Sequence, residues 1–167
     1  MMIDSKKNRR FYFIGLATLF LLILLDQLTK FAAVQFLKGN SSISILPGIL
    51  ELYYLENHGA AWGILENARY FFLFAAVILV GVMFYYYRRI PTEKHWNFCR
   101  FLMIMLASGA IGNAIDRFWH GYVIDFLYVS IIDFPVFNVA DCYVTLSILL
   151  FFVYYRKEVG TWIRSDS

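Results

Sequence analysis

Charge is scarce in this chain. Only 16% of its 167 residues are Asp, Glu, Lys or Arg, while 60% are apolar. A soluble domain carries roughly a quarter charged residues, and the mean hydropathy of +0.60 points the same way. Cysteine is almost absent, which excludes a disulfide-stapled scaffold. Cys99 and Cys142 each lie near the start of an apolar run; runs that cross a bilayer in opposite directions put them on opposite sides of a core of about 30 Å, far beyond bonding reach. His58, His95 and His120 are scattered and stand in no metal-ligand spacing with either cysteine, so neither a structural nor a catalytic zinc is expected. No internal repeat or low-complexity tract is visible, which disfavours the repeat-built transporter architectures. No basic patch suggests nucleic acid.

What the chain does have is long greasy runs. About twenty apolar residues cross a bilayer as a helix, and four segments approach that length, at about 11–33, 68–87, 98–118 and 139–155. An all-α integral membrane protein with four transmembrane helices is therefore expected, as one membrane-embedded domain over residues 1–167. The basic start and first apolar run also resemble a secretory signal peptide. No small-residue cleavage site follows Leu25, and Asp26-Gln27-Leu28-Thr29-Lys30 continues the helix, so the first span is expected to remain uncleaved.

The basic residues orient these spans. Lys6, Lys7, Arg9 and Arg10 precede the first, and Arg88, Arg89, Lys94 and Arg100 lie around the connection between the second and third. Arg156, Lys157 and Arg164 follow the fourth. The positive-inside rule places both termini and the middle connection in the cytoplasm, which agrees with an even number of spans. The net charge of +3 thus marks orientation. By elimination Asp26, Glu51, Glu56, Glu66, Asp116, Asp125, Asp133 and Asp141 lie toward the outer face.

Between the first two spans, Ser42-Ile43-Ser44-Ile45 alternates polar and apolar residues, Pro47-Gly48 marks a turn, and Ile49 to Leu55 is rich in apolar and aromatic residues. This pattern predicts a small β-element on the outer membrane surface. Glu56-Asn57-His58-Gly59-Ala60-Ala61-Trp62-Gly63 follows, with small residues around one interfacial aromatic. Asn57 there can both donate to and accept from an extended peptide backbone.

Asp26 and Lys30 stand four apart and share one helical face, as do Asn113 and Arg117. Such spacing allows an ion pair in the first case and a polar face in the second. Gly109 and Gly112 beside Asn113 suggest close helix packing around a polar centre. Arg117 also reads as a snorkelling residue, and Cys142 as a small residue packed near a helix start.

Asp125 and Asp141 carry the most chemistry. They flank a short polar-aromatic loop between the third and fourth spans, and a carboxylate at a membrane boundary is costly unless it is paired or used. Two that meet from opposite ends of one loop cannot both ionise cheaply and tend to share a proton. The ionised member can take a proton from an attacking water while the protonated member polarises an amide carbonyl. This chemistry needs no metal, cofactor or covalent intermediate. Sequence shows only that the arrangement is feasible, since two solvated loop aspartates would look the same.

Five blocks now stand in order: Asp26 to Lys30, Asn57 to Gly63, Gly109 to Arg117, Gly121-Tyr122-Val123-Ile124-Asp125-Phe126, and Phe137-Asn138-Val139-Ala140-Asp141. Together they resemble the lipoprotein signal peptidase, or signal peptidase II, family of bacterial membrane aspartic endopeptidases. The resemblance implies removal of the signal peptide from a prolipoprotein, just before a cysteine bearing a diacylglyceryl group. It implies Asp125 and Asp141 as catalytic dyad and no cofactor. Asn57, Asn113, Arg117 and Asn138 would orient substrate and dyad, with Asp26 and Lys30 supporting the site from the first span. It further implies a monomer in the bacterial cytoplasmic membrane with its active site near the outer face, partnered by lipid and lipid-modified precursors. The β-element would cradle the substrate beneath a flap near Trp62. The competing reading is a small proton-coupled transporter or channel subunit. Relay carboxylates would then line a path to mid-membrane, whereas the second and fourth runs carry no acidic residue in their middles.

Overall fold

In the computed structural model, residues 5–59, 68–90 and 93–165 are described, with side chains from residue 9 to residue 155. Four helices carry the chain: α1 (Ser5–Leu37), α2 (Arg69–Tyr87), α3 (Asn97–Trp119) and α4 (Val139–Ser165). At 1.5 Å per residue α1 is about 50 Å long, more than a bilayer core needs. Among the described residues, Arg9–Leu37, Arg69–Tyr87 and Lys94–Trp119 are long and apolar enough to cross a membrane, and the apolar part of α4, Val139–Tyr155, is shorter.

α3 is the hub and packs against each of the other three helices. Its two glycines explain the closeness. A Cβ on Gly109 would run into the carbonyl oxygen of Ala140, and one on Gly112 into the carboxylate of Asp26. α4 and α1 can therefore press their backbone and a carboxylate against α3 only where no side chain intervenes. Gly112→Val is expected to separate α1 from α3 and to lower the thermal midpoint of the detergent-solubilised protein by several degrees or more, as overpacking costs about 1–3 kcal/mol. An unchanged midpoint would show that the contact is dispensable. α2 lies outermost. It has no buried residue, and Tyr70, Phe74 and Val77 are each largely exposed. An apolar surface of that size facing outward suits lipid.

The predicted β-element forms as β1 (Ile43–Leu46) and β2 (Leu50–Asn57), antiparallel across the turn at Pro47-Gly48. Gly48 has φ of +71°, a conformation that glycine adopts without cost. A third strand was not anticipated. Residues 123–128, read from sequence as part of a loop, form β3 (Val123–Tyr128), which pairs antiparallel with β2. The sheet order is β1-β2-β3. Val123, Ile124, Asp125 and Phe126 are all buried, so the strand lacks the polar–apolar alternation by which a half-exposed strand is recognised. Gly121, at φ of +89°, ends α3 and turns the chain into this strand. Its N–H donates to the Arg117 carbonyl at 3.2 Å, a left-handed helix ending.

Two small cores result. Cys99, Leu102, Met105, Tyr143 and Tyr155 pack between helices α3 and α4. Ala33, Leu37, Ile124 and Phe126 join the end of α1 to the sheet. Both cysteines are free thiols. The segment around Trp62, read as a flap, lies outside the described residues.

Candidate active site

The site gathers where β3, the start of α4 and the last turns of α3 converge. Asn138 organises it. The side-chain Oδ1 of Asn138 accepts the Asp141 N–H at 3.0 Å, and the Asp141 carboxylate accepts the Asn138 N–H at 3.1 Å. This is a reciprocal cap, in which two otherwise unpaired amides of the first helical turn are satisfied by side chains. It fixes the Asp141 carboxylate at the positive end of α4.

The other end of the Asn138 amide reaches β3. Nδ2 lies 2.7 Å from Asp125 Oδ1, 3.0 Å from Asn113 Oδ1 and 3.3 Å from the Ile124 carbonyl. One fully buried asparagine therefore touches both aspartates. Asn113 adds a second link, because its Nδ2 donates to Asp141 Oδ1 at 2.7 Å.

Strand register supplies the remaining partner. Asn57 on β2 pairs with Val123 on β3, so Asp125, two residues on, is its diagonal neighbour on the same face. Asn57 Nδ2 donates to Asp125 Oδ2 at 2.8 Å, while its Oδ1 accepts the Gly59 N–H at 3.0 Å. The second bond decides which way the amide points.

The two aspartates have different surroundings. Asp125 is 1% exposed, whereas Asp141 is partly open. Burial, then the nearby charge of Asp141, raises the Asp125 carboxyl to about 7, although hydrogen bonds from Asn57 and Asn138 oppose the shift. Desolvation and a like charge both favour the neutral acid. Around neutral pH Asp125 thus holds a proton over much of the population. Both residues line a cleft of about 540 Å³ with Asn57, Asn113, Arg117, Val123, Phe137 and, on α4, Thr145 and Leu146. Few polar groups in an apolar cleft suit a mainly apolar ligand with one reacting polar bond.

Arg117 lines the cleft and also makes structural contacts. Its guanidinium donates to the Gly59 carbonyl at 2.9 Å and lies 4.3 Å from the centre of the Phe72 ring. It ties α3 to the end of β2 and to α2 while lining the cleft, and makes no hydrogen bond to either aspartate. Asp26 and Lys30 pair at 3.0 Å as the spacing predicted, and Lys30 Nζ donates to Asn113 Oδ1 at 2.9 Å. Asp116 and Gln27 joined this network without having been singled out as site residues. The signal was present: Asp116 lies three residues from Asn113, and Gln27 stands beside Asp26.

Residues 18–156 match the family model described as signal peptidase (SPase) II. The chain belongs to the signal peptidase II family. It is thus a member of a membrane-spanning protease family of lipoprotein processing. The lipoprotein signal peptidase of Streptococcus pyogenes serotype M1 is 39% identical over 142 residues, covering 84% of this chain and 91% of that protein. The same protein from serotype M5 (strain Manfredo) gives the same figures. Two bacterial membrane enzymes solved by the in meso method share the fold. One superposes with a TM-score of 0.77 at 29% identity, covering 89% of this chain and 90% of the other. The second gives 0.71 at 31% identity, with 84% and 90% covered.

Proposed function

We propose that this member of the signal peptidase II family removes signal peptides from diacylglyceryl-modified prolipoproteins by aspartic hydrolysis, with Asp125 and Asp141 as the dyad. The observation that carries the proposal is the Asn138 side chain, which joins the buried carboxyl of Asp125 to the capped carboxylate of Asp141 at one cleft. Asp141, the partly open member, acts as the base and takes a proton from water as that water attacks the scissile carbonyl. Asp125, protonated, donates a hydrogen bond to the carbonyl oxygen. The tetrahedral species collapses when a proton passes to the leaving nitrogen, and the dyad returns to its single-proton state. Asn57 and Asn113 hold the two carboxylates and present amides to an extended substrate, and Arg117 braces the cleft wall.

The reading includes four spans, cytoplasmic termini and a cleft near the outer face, supported by the distribution of basic residues. One chain contributes every group named, so a monomer suffices. The substrate's own signal helix would lie in lipid against α4, beside Thr145 and Leu146, with its diacylglyceryl group holding the scissile bond at the interface. The enzyme then has only to admit water.

The deciding experiment compares purified protein in lipid nanodiscs on one precursor with and without its diacylglyceryl group. Cleavage before the cysteine of the lipidated form alone is expected. No cleavage of either form, by protein that is folded, would sink the proposal. The pH dependence has a definite sign. The active state needs the proton on Asp125, so kcat is expected to fall tenfold per pH unit once pH rises well above about 7. A profile flat from pH 6 to pH 9 would contradict that assignment.

A further inference from the structure

Beneath the cleft lies a buried ionic cluster that the chemistry above leaves unused. Asp26 and Lys30 of α1 and Asp116 of α3 are each no more than 1% exposed. Lys30 Nζ sits 3.0 Å from Asp26 Oδ2, 3.0 Å from Asp116 Oδ2 and 2.9 Å from Asn113 Oδ1. An ammonium has three N–H bonds, and all three have acceptors. Gln27 Nε2 crosses the same gap, 3.1 Å from Asp26 Oδ2 and 3.0 Å from Asp116 Oδ1.

The outward bonds of the cluster are specific. Asp26 Oδ1 accepts the N–H of Ala140 at 3.0 Å, and Asp116 Oδ2 accepts the N–H of Ile124 at 3.1 Å. Ala140 immediately precedes Asp141, and Ile124 immediately precedes Asp125. Each carboxylate of the cluster thus grips the backbone one residue before a cleft aspartate. Lys30 joins the two grips and also holds Asn113, whose amide donates to Asp141.

We propose that Asp26, Lys30 and Asp116 form a yoke that sets the spacing of Asp125 and Asp141, which makes Asp116 a positioning residue for the reaction. The inference rests on the dyad assignment and adds to it the device that holds the dyad. Stability alone is a poor reason for such a cluster. Buried ion triads are costly to desolvate, and apolar replacements often stabilise as well. Geometry is the better reason, because an error of about 1 Å at reacting groups can cost about 100-fold in rate.

Asp116→Asn tests it. The amide keeps the shape, but its NH2 must face either Gln27 Nε2 or the donors Lys30 and Ile124 N–H, so one grip is lost. For the lipidated precursor, kcat is expected to fall about 30- to 300-fold with KM within about threefold. The high-pH limb of the kcat profile is expected to move by half a unit or more, because dyad spacing sets how the proton is shared. A kcat within threefold of the parent overturns the yoke. So does a loss that tracks the thermal midpoint, disappears on cooling and leaves the pH limb in place, since that is packing. If Asp116→Asn does not fold, Gln27→Met decides, because it keeps all three charges and removes the amide across them, together with its longer bond to the Gly112 carbonyl. A displaced pH limb with at least a fivefold loss of kcat supports the yoke, and an unmoved limb overturns it. Asp125→Asn run beside these separates the two levels. If it is inactive while Asp116→Asn is normal, only the yoke fails. If it is active, the dyad assignment itself fails.

Discussion

Asparagine in place of either Asp125 or Asp141 is expected to reduce turnover of a diacylglyceryl-modified precursor by about a thousandfold or more. Asparagine nearly matches the shape of aspartate but can neither take a proton from water nor deliver one to an amine. At 125 the substitution also replaces an acceptor by a donor, opposite either Asn57 Nδ2 or Asn138 Nδ2. One of those bonds is then lost, which adds a modest stability cost. At 141 the asparagine Oδ1 can still accept from the Asn138 N–H and preserve the cap, although the bond from Asn113 is lost if its NH2 faces that amide. Both variants are therefore expected to insert in the membrane and unfold within a few degrees of the parent. Precursor cleavage followed by gel shift, with thermal unfolding of the same preparations, checks this. Turnover within tenfold of normal in either variant would remove that residue from the chemistry.

The second large effect is expected at Asn138, where two roles can be separated by choice of substitution. Asn138→Ala removes both the cap of α4 and the donor to Asp125. Loss of a helix cap costs about 1 kcal/mol, and a buried partner left unpaired adds about 1–3 kcal/mol. A lower midpoint is expected together with a fall in kcat of about a hundredfold or more. Asn138→Ser restores a hydroxyl that can accept the Asp141 N–H but is too short to reach Asp125, Asn113 and the Ile124 carbonyl together. Serine is as good a cap as asparagine, so most of the midpoint is expected to return while kcat stays low. If serine restored rate and midpoint alike, the bridge between the aspartates would be irrelevant and only the cap would matter.

Much of this site was legible before the fold was known, and the reasons differ from residue to residue. Asn138 and Asp141 were singled out from their motif, although their pairing as cap and third helical position of α4 appears only in the structure. Asp26 and Lys30 pair because four residues make nearly one turn. Gly109 and Gly112 announce a close approach, which proves to be against Ala140 and Asp26. Asp125 was visible as chemistry but not as structure. Its strand is buried throughout and pairs with β2, whose partner residues lie about seventy positions earlier, and no local periodicity reports such a contact. Arg117 was expected to orient the substrate and the dyad; the structure adds that it lines the cleft while bracing Gly59 and Phe72. Both partners are remote in sequence, so its identity alone could not tell the roles apart.

The sequence by itself determined the apolar solvent, the helices and which carboxylates we propose as the reacting groups. Hydrophobic length and helical spacing are local properties, and a carboxylate in an apolar chain declares its cost wherever it falls. Tertiary structure alone decided which carboxylate is buried and raised to about 7, which amides hold each oxygen, and how Lys30 binds two acids behind the cleft. Those outcomes depend on the depth and register at which α1, α3, α4 and the sheet pack, and electrostatic energies in a low-dielectric interior change steeply over a few ångströms.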